Sequence, residues 1–220
     1  CPAYKIASPE INHIPLIERV ARTKKPIILS LGLATKKDID LALKTIKKMG
    51  NNKVILLQCV SSYPAPIYEQ NIKSINEIKK KYKTICGLSD HTKGFIASSS
   101  ATAIGAKVIE KHFNLSNNKS VDSFFSSTEK EFKIMVDNIR LTEASLGSGK
   151  IEISKSSNSR RSIYVSKNIN KGETINENNI KIVRPNYGLH PKFYKHVLNK
   201  KSNTNLKIGD RFKLKYVKKK

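Results

Sequence analysis

Two short runs set imidazoles beside other polar side chains at the ends of apolar segments: Ser89-Asp90-His91 and Glu110-Lys111-His112. If each run closes a β-strand, the period of two puts Ser89 with His91 on one face and Glu110 with His112 on one face, and turns Lys111 the other way. Both imidazoles then converge on one pocket. Neutral imidazole suits several first-row divalent ions, so such a pair can form a metal site. A lone histidine at a strand end is more commonly just a hydrogen-bonded polar residue, and spacing leaves both readings open. Lys5 lies in the apolar stretch Ala3 to Ala7, where an unpaired ammonium is costly to bury, so it should face an anion or sit in an internal ion pair. Ser8, Ser61, Ser62, Tyr63 and Ser89 follow or close neighbouring apolar runs. Hydroxyls there can donate to a phosphate, although each serine alone reads equally as a turn residue. His13, His190 and His196 have no partner spacing and carry no assigned role.

Positioning these groups falls to the elements around them. Apolar, β-branched runs at Ala3 to Ala7, Pro26 to Leu31, Lys53 to Cys59, Thr84 to Leu88 and Val108 to Phe113 are predicted strands. Ile14 to Arg22, Lys36 to Met49, Ile72 to Tyr82, Gly94 to Ala106 and Phe132 to Leu146 carry apolar residues at i, i+3 and i+4 and predict helices. Thr35 with Asp38 and Ser126 with Glu129 have capping-box form, and Gly50 sits where a helix stop belongs. Five βα units in series imply a parallel sheet covered by helices, either doubly wound or part of an eight-stranded barrel, and periodicity does not choose between them. In both folds ligands bind at the C-terminal ends of the strands, where the polar residues cluster.

Leu146 to Arg160 is rich in Gly, Ser, Lys and Asn and reads as a linker. The expected division is therefore 1–146, a linker over 147–159, and 160–220. Beyond the linker, short alternating runs at Ser162 to Ser166, Ile180 to Val183 and Arg211 to Tyr216 are separated by turn chemistry at Asn170-Lys171-Gly172 and Ile208-Gly209-Asp210. They predict a small β-rich module. The run Lys218 to Lys220 reads as a solvated terminus.

A formal charge of +25 on 220 residues raises nucleic acid as a partner. Against it, thirty-five lysines stand beside only seven arginines, spread among Ile and Asn on both sides of the linker, whereas specific nucleic-acid readers lean on arginine. The excess fits compositional bias together with attraction for an anionic small substrate. No stretch approaches the roughly 18 apolar residues of a membrane span. Cys1, Cys59 and Cys86 are an odd number without CxxC spacing, which points to free thiols in a reducing cytoplasm, with Cys59 and Cys86 as small buried hydrophobes. A chain starting at Cys1 in a strand reads as the later part of something longer.

Several strings resemble the sialic acid synthase family in order and spacing: Tyr4 to Glu10, Pro26 to Thr35, Leu57-Gln58-Cys59 with Tyr63 to Pro66, Gly87 to Thr92, and Ile109 to Phe113. Arg160 to Val165 and Arg184 to Pro191 resemble the antifreeze-like SAF domain that ends those synthases. Within the family, Ser61 to Pro66 and Asp122 to Ser126 look more like the pseudaminic acid branch than the sialic acid branch, which tends to have a His after that Asp. The resemblance implies an α/β fold, a partial TIM barrel with a C-terminal small β-clip (SAF) domain, in which the five strands are the last five of eight. It implies condensation of phosphoenolpyruvate with an N-acetylated amino sugar, and a domain-swapped homodimer in which each SAF domain caps the partner's site. Residue by residue, it makes His91 and His112 ligands of a divalent metal, typically Mn2+. It sets Lys5, Ser8, Ser61 and Ser89 at phosphoenolpyruvate, Tyr63 and Asp122 at the sugar, Arg184 at the partner's sugar, and Glu110 in a catalytic role near the metal. Sialic acid synthases carry an asparagine where Ser61 stands. The family's catalytic glutamate is expected in a preceding segment, so the 220-residue chain alone should show no synthase turnover; detectable product from the purified chain would refute this.

Overall fold

The computed structural model describes residues 1–115, 119–154 and 157–217; the run at 218–220 lies outside them. The chain forms two compact units, Cys1–Gly149 and Lys150–Lys220.

In the first unit, β1 (Tyr4–Ile6), β2 (Ile27–Ser30), β3 (Val54–Cys59), β4 (Ile85–Asp90) and β5 (Val108–Lys111) alternate with α1 (Ile14–Arg22), α2 (Lys36–Lys48), α3 (Ser74–Tyr82), α4 (Ile96–Ala103) and α5 (Glu129–Ser145). The strands are all parallel and lie in chain order β1-β2-β3-β4-β5. A doubly wound sheet reverses its strand order at a switch point. This sheet does not reverse, so right-handed crossovers place every connecting helix on one side and the sheet curls as a barrel segment. The choice that periodicity left open therefore falls to the barrel.

Alternation along each strand sorts the side chains. Ile6, Ile27, Leu29 and Leu56 face the helices and pack with Ile17, Val20, Ala21, Ile39, Ala42 and Ile46 of α1 and α2. Cys86 and Leu88 of β4 do the same with Ile75, Ala97 and Ala101. Each buried Ile or Leu contributes about 1.5–3 kcal/mol. The opposite face carries Lys5, Ser30, Cys59, Ser89 and Glu110, brought into rows by the register Cys59 opposite Ser89 and Ser89 opposite Glu110.

Several boundaries differ from expectation. β4 runs on through Ser89 and Asp90 because both are buried and the ladder to β5 continues to Asp90 opposite Lys111. β5 stops at Lys111, beyond which Phe113 makes only an isolated bridge to Ser127. The cap of α5 is Thr128 with Glu131, not Ser126 with Glu129: Glu131 N–H donates to Thr128 Oγ1, and Thr128 N–H donates to the Glu131 carboxylate at 2.8 Å. Ser126 instead donates its hydroxyl to the Asp122 carbonyl. The Thr35–Asp38 capping box forms as the sequence indicates, and Gly50 stops α2 at φ +69°.

The second unit pairs β6 (Ser162–Val165) antiparallel with β7 (Ile180–Val183) and adds one helical turn, α6 (Tyr194–Val197). Ile163, Val165, Ile169, Ile175, Ile180, Val197, Leu206, Phe212 and Val217 form its core. Arg211 to Tyr216 is not a strand. Arg211 makes one bridge to Tyr164, Phe212 N–H donates to the Ile163 carbonyl, and the chain then turns at Leu214–Tyr216, so its alternation reflects one buried Phe212 rather than a ladder.

Gly87 shows how tightly β4 and β5 pair, since a Cβ there would overlap the Val108 carbonyl. Gly87→Ala is expected to destabilise the first unit by about 3 kcal/mol, the upper end of overpacking costs, read as a lowered urea midpoint.

Candidate functional site

At the C-terminal ends of the strands the inward-facing side chains enclose a cavity of about 440 Å³. Lys5, Ser8, Tyr63, Ser89, His91, Glu110 and His112 line it, together with Ser30, Cys59 and Lys111. Seven of the residues singled out by sequence thus meet in one place.

The two imidazoles come from successive strands. Asp90 is in register with Lys111, so the next residues, His91 and His112, leave adjacent strand ends side by side. Their ring centroids are 5.2 Å apart with planes at 70°, close to the 4.7–4.9 Å spacing of neighbouring strands. His91 Nδ1 lies 2.7 Å from the Val60 carbonyl. That acceptor requires a proton on Nδ1 and leaves a lone pair on Nε2, which is 3.5 Å from Ser89 Oγ. Burial pushes the His91 pKa below its ordinary 6.5, against the opposing pull of the Val60 hydrogen bond, and keeps the ring neutral. Tyr63 packs on both rings, at 4.4 Å from His91 and 5.7 Å from His112. Buried Phe125 backs Tyr63 at 5.1 Å and His112 at 4.7 Å.

Lys5 resolves its burial through Glu110, with Nζ 3.1 Å from Oε2, both side chains remaining partly exposed to the cavity. Ser8 Oγ accepts the Leu33 N–H at 2.6 Å, leaving its own proton free to donate. Ser30 Oγ is a buried atom that makes no hydrogen bond within the protein. Ser30 lines the cavity, so a polar or charged ligand is the partner that would satisfy it.

Four sequence-derived residues sit elsewhere, Ser62 among them. Ser61 is not in the lining; its Oγ lies 4.0 Å from Cys59 Sγ. Asp122 is outside it too, but places Oδ2 3.6 Å from His112 Nδ1, beyond hydrogen-bond length. Arg184 is exposed in the second unit. Lys111 points its ammonium away from the histidines' side, as alternation requires, into an ion pair with Asp90 at 3.0 Å. Sequence reading missed Ser30 and took Cys59 for a simple buried hydrophobe. Alternation within β2 puts Ser30 on the face of Ile28, and it is the pairing of Ile28 with Lys5, which the structure supplies, that brings this face to the cavity. Cys59 is buried, and its thiol pKa is raised chiefly by that burial, which keeps it protonated beside the cavity.

A divalent ion fits this donor set in a restricted sense. Two imidazoles share one cavity, His91 is neutral with Nε2 available, and a carboxylate stands close by. Among the described residues no cluster of three or more His, Cys, Asp or Glu is arranged to hold an ion by itself. A metal here would take its remaining ligands from water or substrate, the open coordination that catalytic sites keep.

Residues 1–151 match the NeuB family, and residues 160–212 match the SAF domain. The chain is 44% identical to the pseudaminic acid synthase of Campylobacter jejuni over 96% of its own length and 63% of that protein's. It is 37% identical to the N,N'-diacetyllegionaminic acid synthase of the same organism over 93% of this chain and 64% of the relative. It therefore spans slightly under two thirds of these relatives. Among solved structures, the spore coat polysaccharide biosynthesis protein SpsE of Bacillus subtilis superposes with a TM-score of 0.64 at 33% identity, covering 99% of this chain and 68% of the other.

The depressed pKa of His91 gives a signed pH dependence. The unfolded chain takes up the proton near 6.5 while the folded site resists it, so the unfolded state binds more protons below that pH and stability falls on acidification. Urea midpoints measured at pH 7.5, 6.5 and 5.5 should decline, and His91→Gln should flatten the decline.

Proposed function

The chain belongs to the NeuB family, and from that premise we propose that it forms the phosphoenolpyruvate and metal side of a pseudaminic acid synthase. The observation that carries this reading is the single cavity uniting Lys5, Ser8, Ser30 and Ser89 with His91 and His112. The reaction joins C3 of phosphoenolpyruvate to the aldehyde carbon of a 2,4-diacetamido-2,4,6-trideoxy hexose, adds water at C2 and releases phosphate.

Lys5 supplies the cation for the phosphoenolpyruvate carboxylate or phosphate, and charge-assisted bonds of this kind are about twice as strong as neutral ones. Glu110 orients the Lys5 ammonium from the same wall. The free hydroxyl protons of Ser8 and Ser30 donate to the same anion, and Ser89 stands between them and His91. Tyr63 and Asp122, on the His112 side, meet the sugar, with Phe125 fixing the Tyr63 ring. Ser61 supports this wall through Cys59. His91 and His112 would hold a divalent ion, Mn2+ by the resemblance, whose chemistry is Lewis acidity toward a carbonyl oxygen. Holding both reactants in one cavity turns a bimolecular encounter into a unimolecular one, a large part of the barrier in condensations of this type.

The second unit contributes Arg184, an exposed cation for the sugar in a domain-swapped homodimer. The three cysteines are free, with Cys59 and Cys86 buried, which suits a reducing cytoplasm. No helix among the described residues is long and apolar enough to cross a membrane. The diacetyllegionaminic acid synthase match favours a second reading, the same condensation on a different diacetamido sugar.

Mn2+ should raise the melting temperature of the chain in proportion to the logarithm of its concentration above Kd. His91→Ala and His112→Ala should each abolish the rise, and a rise that survives both changes rejects the metal site. In the complete gene product, the ratio of kcat/KM for the two diacetamido sugars decides the substrate, and a preference for the legionaminic precursor replaces the pseudaminic assignment.

A further inference from the structure

The chemistry above leaves unused the most deeply buried charges of the first unit. Lys111 Nζ lies 3.0 Å from Asp90 Oδ2, with side-chain exposures of 2% and 0%. Asp90 Oδ1 accepts the Thr92 N–H at 2.8 Å and the Thr92 hydroxyl at 2.7 Å. Oδ2 also accepts the Ser98 hydroxyl of α4 at 2.6 Å. Lys111 Nζ donates in turn to the Thr92 carbonyl at 2.6 Å. Every charge is paired and both carboxylate oxygens are filled.

A buried ion pair of this kind stabilises a fold little more than apolar residues of the same volume would. What it supplies is direction. In the β4–β5 register Ser89 opposes Glu110 and Asp90 opposes Lys111, and His91 and His112 are the next residues on each strand. The ion pair thus sits on the helix side of the sheet, between two pairs of cavity-facing side chains. Asp90, bonded to the Thr92 N–H, bends the chain around His91 in an Asx turn. Lys111 crosses from β5 to grip the far side of that turn through the Thr92 carbonyl, and His112 follows Lys111 directly. His91 has a second hold in the Val60 carbonyl. The Ser127 N–H holds the His112 carbonyl at 2.9 Å, while among the described residues the His112 ring has only aromatic contacts and Asp122 at 3.6 Å, so the direction of the ring depends on the backbone, which Lys111 anchors from the preceding position.

We propose that Asp90 and Lys111 are positioning residues: a buried cross-strand clamp that sets His91 and His112 against each other from the opposite face of the sheet. The clamp's consequence for metal binding rests on the metal reading above, whereas its effect on the two rings does not.

The test is Asp90→Asn/Lys111→Met, which removes both charges together and leaves neither buried alone. In the metal-free protein the nuclear Overhauser effect between the His91 and His112 rings, whose centroids lie 5.2 Å apart, should fall at least about fivefold while amide dispersion persists. Mn2+ affinity should weaken by about 10–100-fold, the usual cost of losing groups that orient ligands. A ring-to-ring signal at wild-type intensity overturns the proposal, as does wild-type Mn2+ affinity beside a lost signal. If the wild-type protein binds no Mn2+, the metal reading fails and the ring-to-ring signal alone decides the clamp. Should the double variant not fold, Ser98→Ala removes one bond to Asp90 and keeps both charges; a fall of about twofold in the same signal supports the clamp, and no change overturns it.

Discussion

The parallel register of β4 against β5 is the constraint on which the site depends. Strand side chains alternate, so a slip of one residue would carry a whole row to the other face. In this register Ser89 meets Glu110, Asp90 meets Lys111, and the two histidines emerge together. Gly87 helps to hold it by admitting the Val108 carbonyl at a distance no side chain would tolerate. The cavity, the imidazole pair and the ion pair behind them are three consequences of one pairing.

The same two charge types do different work according to their side of the sheet. Lys5 and Glu110 are about one third exposed and face the cavity, so water competes for both and an anion can take over the ammonium. The side chains of Lys111 and Asp90 are almost fully buried, with both carboxylate oxygens occupied. Aromatic packing completes the contrast. Tyr63 packs on the His91 ring and Phe125 on the His112 ring, and the burial that lowers the proton affinity of His91 keeps its nitrogen available as a ligand.

Much of this was legible in the sequence because it follows from short-range periodicity. The five βα units, the convergence of His91 with His112, the outward turn of Lys111 and the Thr35–Asp38 cap need only alternation, helical spacing and a local hydrogen-bonding rule. Errors arose where two local patterns compete. Ser126 and Thr128 both stand three residues ahead of a glutamate, and only the burial of Met135 on α5 and the pairing of Phe113 with Ser127 select Thr128. Arg211 to Tyr216 alternates like a strand, yet only Phe212 of that run is buried and the chain turns at Leu214–Tyr216.

By itself the sequence determined which side chains share a face, since alternation is a property of the strand and needs no neighbour. It could not determine which strand lies beside which, how far each ladder runs, or which partner a charge takes. Those depend on contacts between residues far apart in the chain, as Lys5 with Glu110 and Ser8 with the Leu33 N–H. Only the tertiary structure chose the unreversed barrel order, brought Ser30 and Cys59 to the cavity, and spent Asp90 and Lys111 on each other. The energy of each of those choices resides in long-range burial and register, which no local window of residues contains.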